Sequence, residues 1–126
     1  MKRLMCLFLV LVGVVFFDAS AARADADLIY DVTGTNPGQT NGAPAYKGIV
    51  VMRRKGQVVT VIWKIGGQNV VGTGIIDGNT MAVGYPSANE PGVAFYARDP
   101  QTGVVNGQWV PGGGSSLGTE RWIPRN

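Results

Sequence analysis

The chain has 126 residues, a formal net charge of +3, no histidine and one cysteine, Cys6. Catalytic triads, Cys-His pairs and most zinc sites need imidazole or thiolate groups. The composition therefore excludes most small-enzyme chemistries, and we expect a non-enzymatic protein with no cofactor and no metal site.

Residues 1–24 have the pattern of a secretory signal peptide. A positive start at Lys2 and Arg3 precedes an uncharged apolar run at 4–17, and the tripeptide ARA at 22–24 offers the small residues that signal peptidase accepts. The apolar run is shorter than the roughly 20 residues of a membrane-spanning helix. We predict cleavage after Ala24, export to the periplasm or the medium, and no stable membrane anchor after cleavage.

Residues 25–126 form the predicted domain. Its net charge is only +1, because Lys2, Arg3, Arg23 and Asp18 all lie in the first 24 residues. So weak a charge gives no indication of nucleic-acid binding. The segment contains no cysteine, so an apolar core must hold it without disulfides.

Short runs rich in valine, isoleucine and aromatic residues follow one another through this domain, separated by 18 of the chain's 19 glycines. Such a pattern is typical of strands joined by tight turns. In the clearest run Val59, Val61 and Trp63 alternate with Thr60 and Lys64, which is the two-residue period of a half-buried strand. We predict eight strands, at residues 28–33, 46–53, 57–65, 70–76, 80–85, 93–98, 104–110 and 117–123.

The connections between these strands indicate a meander. Lys55-Gly56, Asp77-Gly78-Asn79 and residues 99–103 are short and offer glycine for a turn, whereas residues 34–45 are expected to form a long loop. Sequential strands should then be antiparallel neighbours. A closed barrel and a pair of packed sheets both fit, and we favour an all-β, up-and-down β-barrel because closure removes exposed edges.

The interior of such a barrel is either filled by side chains or just wide enough for one small ligand. Trp63, Tyr85 and Trp109 are the candidate binding residues of an interior pocket. Several glycines also lie within predicted strands, where they leave room for a cavity or permit strong curvature: Gly48, Gly72, Gly74, Gly84 and Gly107. The sequence leaves both alternatives open.

Arg53, Arg54 and Lys55 place three cations at one predicted hairpin tip. They are candidate binding residues for an anionic polymer or an acidic protein surface. The competing interpretation is that these charges are solvated and protect a strand edge.

Several segments resemble a family of small secreted proteins of alphaproteobacteria, especially of the rhizobial group, whose members are often labelled fibronectin-binding proteins. The segments are VTGTNPG at 32–38, YKG at 46–48, WKIGG at 63–67, VGTGI at 71–75, MAV at 81–83 and GQW at 107–109. The resemblance implies a secreted protein and adhesion to a matrix glycoprotein. A more distant similarity, in strand number and in the tripeptide at 107–109, is to avidin-like and lipocalin-like barrels.

Three functions follow as hypotheses. The first is an exported, non-enzymatic binding module that is adhesive and has an extracellular or periplasmic protein, or an anionic polymer, as its partner. The second is a carrier with a small-ligand pocket inside the barrel. The third, an enzyme with paired carboxylates, needs two acids converging in a cleft, and the spacing of the seven acids in residues 25–126 does not indicate such a pair.

Overall fold

The computed structural model describes residues 26–125, which form eight antiparallel strands closed into a barrel. Each strand pairs with its neighbours in sequence, and the last pairs with the first. This confirms the prediction of an all-β, up-and-down barrel. The strands are β1 (Asp27–Thr35), β2 (Tyr46–Lys55), β3 (Val58–Ile65), β4 (Gln68–Asp77), β5 (Thr80–Tyr85), β6 (Gly92–Arg98), β7 (Val105–Val110) and β8 (Gly118–Pro124).

The seam between β1 and β8 closes the barrel. Tyr30 lies opposite Pro124 and Thr35 lies opposite Thr119, with every residue between them paired in register. Two packed sheets would instead leave edge strands without a neighbour. No strand in the described part of the chain lacks its second neighbour, so that alternative is excluded there.

Side chains alternate between the interior and the outer wall, as the two-residue period of a strand requires. In β3, Val59, Val61 and Trp63 are buried, whereas Val58 and Lys64 are exposed. Inward positions from all the strands join in one core, which stabilises the fold in the absence of disulfides. Its buried members are Tyr30, Val32, Val50, Met52, Val59, Val61, Trp63, Ile76, Met81, Val83, Ala94, Tyr96, Val105 and Trp122.

The barrel has two different ends. The end at which β1, β3, β5 and β7 finish carries the connections 36–45, 66–67, 86–91 and 111–117, and we call it the mouth. The opposite end, which we call the closed end, has tight hairpins at Gly56 and Gly78, both with positive φ. These two glycines adopt the left-handed conformation that other residues avoid.

Predicted and observed strand boundaries differ by at most two residues. The first connection needs a correction, because Gly34 is not in the loop: it pairs with Tyr46 in the β1–β2 ladder. The loop of residues 36–45 is held by Gln39, whose amide donates hydrogen bonds to the carbonyl oxygens of Asn41 (3.1 Å) and Ala43 (2.6 Å). It therefore has a defined conformation at the rim of the mouth.

The predicted signal peptide at 1–24, its cleavage site and Cys6 lie outside the described residues. Within residues 26–125, no helix is long and apolar enough to cross a membrane.

Candidate ligand site

The barrel interior contains a cavity of about 310 Å³ on the side of the mouth. On the closed side of it the interior is filled: Trp122 is fully buried, with its ring centroid 4.4 Å from that of Tyr96 and 5.5 Å from that of Tyr30. The barrel is therefore filled in one half and open in the other. The lining residues are Asn36, Tyr46, Trp63, Ile65, Gln68, Val70, Tyr85, Tyr96, Trp109 and Glu120.

Glu120 brings a carboxylate to the cavity from β8, where it shares the inward face with Trp122. Its side chain is only 7% exposed. Oε1 accepts hydrogen bonds from the indole N–H groups of Trp63 (3.1 Å) and Trp122 (3.0 Å) and from the hydroxyl of Tyr96 (2.7 Å). Oε2 accepts one from the hydroxyl of Tyr46 (2.6 Å). Indole N–H groups can only donate, so Glu120 is the acceptor in this network. The four donors offset much of the cost of burying the charge of its carboxylate.

The tyrosines around the carboxylate stay protonated. Burial first, and the neighbouring charge of Glu120 second, raise the pKa of Tyr46 and of Tyr96 far above the usual value of a phenol. The same two causes raise the pKa of Tyr85. The negative charge of Glu120 therefore acts on all three of these tyrosines. The hydroxyls of Tyr46 and Tyr96 already donate to Glu120, so that of Tyr85 is the one still available as a donor.

Four of the lining aromatic rings lie over a glycine directly opposite on the neighbouring strand. A Cβ at any of these glycines would overlap the ring. At Gly107, for example, the ring of Tyr96 occupies the space where a side chain would stand. This glycine therefore does not leave an open cavity, and strand curvature alone does not explain it. It lets a large ring lie against the barrel wall, which is the close approach that strand glycines permit. The pairs are Tyr46 with Gly34, Tyr85 with Gly92, Tyr96 with Gly107 and Trp109 with Gly118.

Two buried polar atoms, the hydroxyl oxygen of Tyr85 and Nε1 of Trp109, have no hydrogen-bond partner among the described residues. The Trp109 N–H is near enough to the Tyr46 hydroxyl to act against the rise in the pKa of that phenol, but it does not reach hydrogen-bond geometry. About nine in ten buried polar groups are paired in folded proteins, and each unpaired one costs about 1–3 kcal/mol. Both residues line the cavity, so a molecule bound there is positioned to supply the missing partners.

The three aromatic residues singled out from the sequence come together at this site. The ring centroids of Trp63 and Tyr85 are 5.8 Å apart, in an edge-to-face arrangement, and Trp109 makes a similar pair with Tyr46 at 6.3 Å. The structure adds three residues that the sequence interpretation did not single out: Tyr46, Tyr96 and Glu120. A signal for Glu120 exists, because it alternates with Trp122 on a predicted strand and so belongs to the inward row.

The cationic tip is separate from the cavity. It lies in the β2–β3 hairpin at the closed end, and Arg53 is engaged there by Asp27 through hydrogen bonds of 2.9 and 3.2 Å. The Arg54 side chain donates to the carbonyl of Gly56 at 2.7 Å. Lys55 is exposed. The six predicted binding residues therefore fall into two groups of three at opposite ends of the barrel.

No group of three or more His, Cys, Asp or Glu side chains that could hold a metal ion occurs in the region the structure describes. A scan against protein-family models finds no family that matches this chain, and a search of curated proteins finds no relative. The resemblance to fibronectin-binding-type proteins and to avidin-like barrels stays a prediction.

Proposed function

We propose that this protein is an exported, non-enzymatic binding module that takes a small molecule into the open half of its barrel. The observation that carries the proposal is the pair of unpaired polar atoms, Tyr85 Oη and Trp109 Nε1, buried beside the cavity. Ligand pockets are mostly apolar and aromatic, with a few converging polar groups that orient the ligand. The lining of this cavity has that composition.

The cavity volume limits the size of the ligand. At about 310 Å³, it is at the lower end of the roughly 300–1,000 Å³ found for ligand pockets. Water occupies about 30 Å³ per molecule in the liquid, so a ligand of roughly ten to fifteen non-hydrogen atoms is of suitable size. The proposal therefore concerns a ligand of the size of a small metabolite.

Native mass spectrometry of the protein, purified without denaturation from its own periplasm or medium, tests the proposal directly. We expect an added mass that is lost on gentle activation. A matched pair of variants locates it. Val70→Trp fills the cavity and should abolish the added mass, whereas Val71→Trp changes the neighbouring outward side chain, which is 50% exposed, and should keep it. A ligand retained equally by both variants would contradict binding in the cavity.

Adhesion to a matrix glycoprotein such as fibronectin is the second candidate. It is supported by the exposed cations Arg54 and Lys55 and by Phe95, which is 57% exposed on the outer wall. Purified protein is titrated against immobilised fibronectin at physiological salt. Saturable binding that weakens when Arg53, Arg54 and Lys55 are replaced by serine, with the fold unchanged, supports this candidate. Absence of saturable binding removes it.

Export is proposed from residues 1–24 alone. The intact mass of the protein recovered from the periplasm or the medium tests it, since cleavage after Ala24 leaves a chain that begins at Asp25. Recovery of the unprocessed chain would contradict export by a cleaved signal.

A further inference from the structure

The charge lining the cavity is unbalanced. Glu120 contributes a buried carboxylate, and the other lining residues are neutral: none is Lys, Arg or His. Within the described residues both ion pairs are on the exterior, Arg53 with Asp27 and Arg125 with Asp31, so neither neutralises Glu120. Four hydrogen-bond donors stabilise its charge without cancelling it. An anionic ligand would therefore be repelled, and a cationic one attracted.

The aromatic walls favour the same sign of charge. Tyr46, Trp63, Tyr85, Tyr96 and Trp109 surround the cavity. The face of an aromatic ring is electron-rich and attracts an organic cation, which is how aromatic cages recognise substituted ammonium groups. An apolar ligand would gain from these walls too, but it would leave the charge of Glu120 without a counterion.

The unpaired atoms impose a second requirement. Trp109 Nε1 can only donate a hydrogen bond, and the Tyr85 hydroxyl can donate or accept one. Both are satisfied if the ligand carries an acceptor oxygen. In contrast, Oε1 of Glu120 already accepts three hydrogen bonds. The charged group of the ligand therefore does not need N–H donors to bind beside it.

We propose that the ligand is a small organic cation of the substituted-ammonium class that carries an acceptor oxygen a few bonds from its charged nitrogen. In this arrangement the ammonium group lies among the aromatic rings near Glu120, and the oxygen accepts from Trp109 and Tyr85. The proposal rests on the cavity being the ligand site.

Two probes of the same shape test the sign of the charge. Acetylcholine is a quaternary ammonium with an ester carbonyl, and 3,3-dimethylbutyl acetate replaces its nitrogen by carbon. The full chain is expressed in an exporting bacterial host, the protein is purified as the cell delivers it, and both probes are titrated by isothermal calorimetry at low and physiological salt. We expect the cation to bind at least about tenfold more tightly, a preference that lies within the range of cation–π attraction alone.

The outcomes separate this inference from the proposed function. Equal or tighter binding of the neutral probe overturns the cationic ligand and leaves the cavity as a site. Failure of both probes to bind up to about 10 mM, far weaker than specific recognition, also overturns it. In that case the retained mass and the Val70→Trp and Val71→Trp pair still decide the proposed function independently.

Glu120→Gln supplies the matched variant, because it keeps the shape and an acceptor oxygen while removing the charge. We expect the preference for acetylcholine over its neutral isostere to disappear. A preference that persists unchanged in the folded variant overturns the role given to Glu120. Should this variant not fold, the comparison of the two probes on the unaltered protein still decides the sign of the charge.

Discussion

The hydroxyl of Tyr96 donates a 2.7 Å hydrogen bond to Glu120, whereas the hydroxyl of Tyr85, beside the same cavity, has no partner in the described structure. The two phenols therefore have different roles. One belongs to the network that holds the buried carboxylate. The other is available to a ligand. Replacing each tyrosine by phenylalanine therefore distinguishes a hydroxyl that contributes to stability from one that contributes to binding.

Tyr96→Phe should destabilise the protein by about 1.5–3 kcal/mol, the range for a hydrogen bond to a charged group. Tyr85→Phe should leave the free energy of unfolding unchanged or raise it by up to about 1 kcal/mol, because it removes an unsatisfied buried group. Urea unfolding of both variants measures the difference. Equal destabilisation by the two substitutions would show that Tyr85 has a partner in solution.

Glu120→Ala should lower the free energy of unfolding by about 3 kcal/mol or more, since it leaves the N–H groups of Trp63 and Trp122 and the hydroxyl of Tyr96 without their acceptor. That is a large part of the roughly 5–15 kcal/mol available to a domain. Arg121→Ala, on the exposed face of the same strand, is the control and should change stability by less than about 0.5 kcal/mol.

Two strand glycines should respond oppositely to alanine. A Cβ at Gly107 would overlap the ring of Tyr96 and approach the carbonyl oxygen of Phe95 to 2.8 Å, so Gly107→Ala should cost about 1–3 kcal/mol, as overpacking does. A Cβ at Gly84 would meet nothing nearer than the Thr73 carbonyl oxygen at 3.9 Å. Gly84→Ala should therefore be neutral or stabilising by about 0.4–1 kcal/mol. Thermal unfolding of the pair checks the contrast.

All four tyrosines of the chain have raised pKa values in the folded state, with burial as the largest cause. A group whose folded pKa lies above its unfolded value favours the folded state less as pH rises past the unfolded value of about 10. We therefore expect stability to be unaffected by the tyrosines below that pH and to fall above it. Tyr46 and Tyr96, whose pKa values are raised most, should ionise only together with unfolding, and near-ultraviolet absorbance of tyrosinate measures this. Ionisation of most tyrosines before any loss of structure would contradict the buried network.

The sequence was sufficient to predict the eight-strand meander, and closure was favoured over two packed sheets because it removes exposed edges. In β3, Val59, Val61 and Trp63 alternate with exposed residues, and the glycine turns at Gly56 and Gly78 are short enough to require antiparallel neighbours. Both signals are local, and meander order follows from them without knowledge of long-range contacts. Trp63, Tyr85 and Trp109 could be assigned to the interior for the same reason.

The network around Glu120 depends on information that is not local. Its partners Tyr46, Trp63 and Tyr96 are 74, 57 and 24 residues away in sequence. Which side chains meet across the lumen is decided by the register and tilt of the strands, and alternation along one strand does not determine these. For the same reason the pairing of Gly107 with the ring of Tyr96 could not be read from spacing.

The β1–β8 seam also determines where the chain enters and leaves the domain. Asp27 begins β1 at the closed end, and Pro124 lies opposite Tyr30 near that same end. A reporter, an affinity handle or a surface linker attached at either end of residues 26–125 would therefore project away from the opening, leaving solute access unobstructed. If the protein were immobilised through these ends, its mouth would point toward the solution, which is the orientation that a sensor requires.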